Sequence, residues 1–149
     1  MVNPVFTDAS SAILLNATGL FSLFVQTCPV VFAPSVFEEV ARPGYNGARK
    51  FTAAVEKNLV AVKKPADASI LKACPEARGL DPGEKETIWL YLEKRNGFIL
   101  TDDGKAARIC DRYEFPFINA LLVPRLFFFS GILTDRQFRE HTEQLSQTG

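Results

Sequence analysis

Five short apolar runs, at residues 5–7, 30–33, 59–62, 98–100 and 115–118, alternate with segments of helical character. Strands separated by helices pair in parallel through right-handed crossovers. The alternation therefore predicts an α/β chain, a three-layer α/β/α sandwich around a central, mainly parallel sheet. Such a sheet gathers the carboxyl ends of its strands along one edge, where residues distant in sequence converge.

Acids stand at two of those ends. Asp8 closes the run Pro4-Val5-Phe6-Thr7, and Asp102 and Asp103 close Phe98-Ile99-Leu100-Thr101. Glu39 and Glu84 fall on or at the start of helices between them. Carboxylates crowded together without a Lys or Arg repel one another. A divalent cation resolves the repulsion, and hard oxygen ligands select Mg2+ or Mn2+.

The connecting segments read as follows. Ser10 or Ser11 is placed to cap a helix carrying Ile13, Leu14, Leu15, Leu20, Leu23 and Phe24, too dense for one exposed face. Pro34 opens a second helix with Glu38 and Glu39, stopped by Pro43-Gly44, and residues 48–58 form a third. Residues 66–80 are mixed, a short helix and a loop. Asp81-Pro82-Gly83-Glu84 starts the clearest helix, through Ile88, Trp89 and Leu92 to Asn96-Gly97, and Asp81 with Glu84 fits a capping box. Residues 104–113 are helical, with Ala106, Ala107, Ile109 and Cys110 inward. Residues 1–133 read as one domain, and 134–149 as a polar C-terminal helix or tail anchored by Phe138 and Leu145.

The chain has 149 residues, enough for a core without staples, with 17 basic and 17 acidic side chains. Zero net charge argues against a generic DNA-coating protein but leaves room for a local basic rim. Cys28, Cys74 and Cys110 are odd in number with no Cys-x-x-Cys spacing, and His141 is remote, so a zinc site or disulfide framework is not expected. The three thiols read as apolar fillers, and Trp89 and Tyr91 as core. The beginning of the chain lacks a signal peptide's basic region, and the greasy stretches 12–25 and 120–133 are interrupted and short for a span of roughly 20 apolar residues. A cytoplasmic protein without membrane contact is expected.

Four motifs in order, Val5-Phe6-Thr7-Asp8-Ala9-Ser10, Val36-Phe37-Glu38-Glu39-Val40, Gly83-Glu84-Lys85-Glu86-Thr87-Ile88 and Ile99-Leu100-Thr101-Asp102-Asp103-Gly104-Lys105-Ala106-Ala107-Arg108, together resemble a PIN domain. The resemblance covers residues 4–133 and is to small PIN proteins related to the VapC toxins. It implies a divalent-metal-dependent endoribonuclease, often a toxin restrained by a small antitoxin protein and commonly a homodimer. It matches Asp8 to the first-strand acid and Glu39 to the helix acid. Glu84 falls where many relatives carry Asp, and Asp102 and Asp103 share the site of the last acid.

On that resemblance Asp8, Glu39, Glu84, Asp102 and Asp103 are the candidate catalytic residues. Asp8 would be the central metal ligand with Asp102 or Asp103 beside it, and Glu39 and Glu84 would complete the shell or orient waters. Ser10 or Thr101 would hydrogen-bond a ligand carboxylate. Structural readings compete: Asp8 as a turn or helix cap, Glu84 as half of a capping box, Asp102-Asp103 as an N-cap. Successive helical residues diverge by about 100°, so only one of Glu38 and Glu39 is expected to face the acids. Lys105, Arg108 and Arg112 share a helix face that is either solvated or a grip for RNA phosphates, and Arg42, Arg49 and Lys50 offer the same choice. Three consecutive rings, Phe127 to Phe129, cannot all point inward, so one is expected at an interface. Two other functions fit the acids: a catalytically degenerate PIN fold binding RNA or protein, and a magnesium-binding phosphoacceptor regulatory domain. The second wants a Lys ending a late strand, where this chain has Asn119-Ala120.

Overall fold

Each apolar run forms a strand: β1 (Val5–Thr7), β2 (Val30–Phe32), β3 (Val60–Val62), β4 (Phe98–Leu100) and β5 (Phe117–Ile118). They make one sheet in the order β3-β2-β1-β4-β5, and every pairing is parallel. The structure, a computed structural model, describes residues 3–148. Met1, Val2 and Gly149, at the outer ends of the expected domain and tail, lie outside them.

The helices are α1 (Ala9–Ala17), α2 (Phe21–Thr27), α3 (Pro34–Val40), α4 (Ala48–Glu56), α5 (Pro82–Lys94), α6 (Gly104–Arg112), α7 (Leu122–Phe129) and α8 (Asp135–Thr148). Residues 66–80 hold two 3-10 segments, Ala68–Ala73 and Pro75–Gly79. The result is the three-layer α/β sandwich. β1 and β2 are buried at every residue, as strands covered on both faces must be. Phe6, Phe24, Phe32, Phe51, Leu15, Ile88 and Ile99 fill the core. Phe21 and Phe32 pack on Phe51. Tyr91 joins this interior, whereas Trp89 is half-buried and its Nε1–H donates to the Asp67 carbonyl (2.8 Å).

Two local expectations need correction. The first helix is capped by neither Ser10 nor Ser11. Asp8 is the N-cap, with extended backbone, and its side chain accepts from the Ser11 amide (3.0 Å). The greasy stretch is also two helices, not one. Thr18 returns its hydroxyl to the Leu14 and Leu15 carbonyls and Gly19 takes φ +76°, so α1 and α2 meet at a 117° bend. Among the described residues no single helix is long and apolar enough to cross a membrane.

The polar C-terminal segment is helical and docked. Phe138 stacks on Phe128, Leu145 is buried, and His141 Nδ1 lies 2.9 Å from the Thr18 carbonyl oxygen at the end of α1.

The strand order changes direction at β1. The chain runs outward from β1 to β2 and β3, then returns to lay β4 on the other side. Crevices in open α/β sheets form where the order reverses, and here that point lies beyond the ends of β1 and β4.

Candidate active site

Asp8 follows β1 directly. Its amide donates to the Leu100 carbonyl (3.1 Å), so sheet pairing continues one residue past the strand and fixes the Asp8 backbone against β4. The side chain is 2% exposed. Oδ1 accepts from Ser10 Oγ (2.9 Å) and the Ser11 amide (3.0 Å), and Oδ2 accepts from Thr101 Oγ1 (2.5 Å). Burial pushes this carboxyl above its ordinary range, and the bonds from Thr101, Ser11 and Ser10 pull the other way. Asp8 is thus at once a helix cap and a buried acid at the sheet's edge. Ser10 and Thr101 both orient it.

The adjacent acids after β4 separate in role. Asp103 caps α6, accepting from the Ala106 amide (2.8 Å), and its own amide donates to Thr101 Oγ1 (3.2 Å). One hydroxyl therefore links Asp8 to Asp103. Asp102 faces a different crevice, lined by Leu14, Asn119 and Leu145. Its Oδ2 accepts from Ser11 Oγ (2.6 Å) and the Ala120 amide (3.0 Å), riveting β4 to α1 and to the start of α7.

α3 and α5 face each other across the cleft. Gly83 lets them close: a Cβ there would stand 3.2 Å from Val36 Cγ2. Glu86 accepts from both the amide and the hydroxyl of Ser35, tying α5 to the first turn of α3. The expected capping box does not form, because the Asp81 side chain makes no cap hydrogen bond. Glu84 lies instead among other acids. Burial first, then the charges of Asp103, Asp81 and Asp8, push its carboxyl up to about 7.

The resulting cleft, about 550 Å3, is lined by Asp8, Ser10, Glu38, Glu39, Arg42, Asp81 and Glu84. Glu38 and Glu39 both line it and both are exposed, so the expectation that only one would face it fails. α3 is short and ends near the rim, which leaves both long side chains in reach. Among the described residues none of Asp8, Glu39, Glu84, Asp102 or Asp103 forms an ion pair with Lys or Arg. Also among them, no group of three or more His, Cys, Asp or Glu is closed tightly enough to hold a metal ion as the side chains stand. The donor chemistry nonetheless fits a hard divalent cation: oxygen ligands only, mutually repelling, and none of them ion-paired among the described residues. Glu39 and Glu84 are solvated enough to change rotamer around the fixed Asp8.

The basic residues fall on two sides. Lys105, Arg108 and Arg112 line a separate cleft of about 540 Å3 along α6, where Arg112 pairs with Glu76 (3.3 Å). Arg42 stands at the rim of the acidic cleft with its guanidinium over the Tyr45 ring. Sequence reasoning gave no site role to Tyr45 or Glu86, and read Ser11 only as a cap candidate, not as the partner of Asp102. Tyr45 carried a signal, an aromatic residue in a Pro-Gly-Tyr-Asn-Gly loop flanked by cations. The other two depend on contacts across the fold.

A buried Asp8 with further acids around it, beyond the strand ends of a parallel sheet and at the point where strand order reverses, places the candidate site in an open, parallel α/β fold. A family model described as a PIN domain matches residues 4–149, including α8, and the chain belongs to that family. No curated protein matches it. PIN domains are in general nucleases, and typically use divalent metals.

The Glu84 environment gives a signed expectation. Between its ordinary 4.5 and about 7 the folded chain holds a proton that the unfolded chain has released. Stability conferred by that proton falls as pH rises through this window and levels off above it. The site is partly solvated, so screening holds the change to about 1 kcal/mol. Urea unfolding in chelator should show this decline, and Glu84→Gln should flatten it. An unchanged slope in the variant would remove Glu84 from the acidic group.

Proposed function

We propose that the chain is a divalent-metal-dependent endoribonuclease. The single observation carrying this reading is the gathering of carboxylates at Glu84, whose proton affinity is raised by burial and by the charges of Asp103, Asp81 and Asp8, with no ion pair to any of them among the described residues. Asp8 and Asp103 would hold the ion, with Glu84 and Glu39 completing its shell or orienting waters. Asp102, spent on Ser11 and Ala120, is better placed to brace the turn. Bound there, Mg2+ or Mn2+ supplies an activated water and neutralises charge on the reacting phosphate. The chain's own part is to fix Asp8 through Thr101 and Ser10 and to set Arg42 at the rim for a phosphate.

We further propose a toxin role, in the cytoplasm, with a small antitoxin and a homodimeric state. Leu122, Leu126 and Phe129 on α7 support the partner part of this reading. Phe129 is 75% exposed, whereas Phe127 packs on Phe24 inside and Phe128 on Phe138. A degenerate, non-cutting PIN domain is the second reading, favoured by the open spacing of the acids. Family membership sets aside the phosphoacceptor alternative. Incubating purified protein with labelled RNA in Mg2+, Mn2+ or chelator decides among these. Cleavage is expected with either metal and absent in chelator. Cleavage that survives chelation would end the metal mechanism, and metal-dependent binding without cleavage would favour the degenerate form.

A further inference from the structure

Next to the acidic cleft lies a hollow of about 760 Å3 lined by the loop after α3 and by α4, with Tyr45, Asn46, Arg49 and Lys50 in its wall. Arg42 joins the two. It lines the acidic cleft, its NH1 donates to the Tyr45 hydroxyl (3.0 Å), and its guanidinium carbon lies 5.2 Å from the ring centroid. The loop is held in shape. The Tyr45 amide donates to the Arg42 carbonyl and the Ala48 amide to the Tyr45 carbonyl, both at 3.1 Å. Gly47 has φ +89°, and a Cβ there would overlap the Asn16 side chain, so the loop sits hard against α1. The ring nevertheless fills no core, being 49% exposed.

An aromatic ring held out beside cations, at the edge of a phosphate-cutting site, has the properties of a stacking platform for an unpaired base. Arg42 stands over one side of the ring, and Tyr45, half exposed, also lines the neighbouring hollow. In a duplex the base faces are already covered by neighbours, so only a single strand offers a face to the ring. We propose that Tyr45, braced by Arg42, stacks a nucleobase of single-stranded RNA beside the scissile phosphate, while Arg49 and Lys50 take the phosphates that lead away. This inference rests on the nuclease reading and adds to it a residue that holds a base of the strand.

Binding of a short labelled oligoadenylate in chelator, followed by fluorescence anisotropy, reads the platform without metal chemistry. Tyr45→Ala is expected to weaken this binding about tenfold, and Tyr45→Phe to stay within about twofold of wild type. A duplex of the same length should bind all three chains equally. Equal oligoadenylate binding by wild type and Tyr45→Ala would overturn the platform, as would Phe binding as weakly as Ala, or a parallel loss with duplex. Cleavage in Mg2+ is measured alongside. A wild-type chain that binds through Tyr45 but cuts nothing would sink the nuclease reading alone. A chain that cuts single strands and duplexes alike, with Tyr45→Ala unimpaired, would sink only the platform.

Discussion

An Asp8→Asn chain should fold normally and lose RNA cleavage by about 10³-fold. The exchange keeps the shape and Oδ1, so the Ser11 amide and Ser10 hydroxyl retain their acceptor and α1 its cap. The new amide group would meet Thr101 Oγ1, whose hydroxyl can turn to accept. What disappears is the charge. Burial already disfavours the ionised Asp8, so removing it should leave the melting temperature in chelator unchanged or raised. Metal response then separates catalysis from folding. Millimolar Mg2+ should raise the wild-type melting temperature, because an ion that binds only the folded chain stabilises it by mass action, and should leave the variant unmoved. Full cleavage by Asp8→Asn would refute the proposed centre. A collapsed melting temperature would show that the fold itself needs the ionised carboxylate.

The second large effect concerns the frame. Gly97→Ala should destabilise the chain by about 4 kcal/mol, a large share of the roughly 5–15 kcal/mol that hold a domain of this kind together. Gly97 has φ +76°, and a Cβ there would overlap the Pro4 carbonyl oxygen and stand 2.9 Å from its carbon. Those atoms belong to backbone that cannot swing aside. The same carbonyl accepts from the Phe98 amide (3.1 Å) as β4 comes to lie beside β1, so any retreat loosens the pairing that places Asp8 next to Asp103. Gly131→Ala is the control. Its φ is +78° but no atom lies within 4 Å, so only the backbone strain of about 1 kcal/mol remains. Urea midpoints compare the two directly, and similar losses would mean that the β1–β4 seam yields.

Much of the fold was legible because strands and helices carry local signatures. The apolar runs became strands, Pro34 and Pro82 opened helices, and Gly97 ended the segment after α5. Gly19 was readable as an interruption of the apolar stretch but not as a turn between two axes, because the apolar residues on either side are too dense to give a helical phase. Acid placement was legible only in outline. That Asp8 and the Asp102-Asp103 turn share one edge follows from topology. Which of the two acids turns toward the cleft depends on Ser11 and Ala120, partners far along the chain that spacing does not connect. The capping box of Asp81 with Glu84 was a local motif that did not form: the Asp81 side chain makes no cap hydrogen bond, and Glu84 stands among the other acids. Asp8 shows that a helix cap can also be a buried acid lining the cleft.

The central position of β1 bears on when the acidic cleft is completed. Val5 pairs with Phe98, so the first strand must wait for most of the chain before its second neighbour arrives. During synthesis Asp8 emerges early, but Thr101 and Asp103 come last among the residues that shape its surroundings, and such distant pairings form late. A polypeptide ending before Thr101 carries an incomplete edge, and the proposed cutting surface exists only once the whole ribbon has closed.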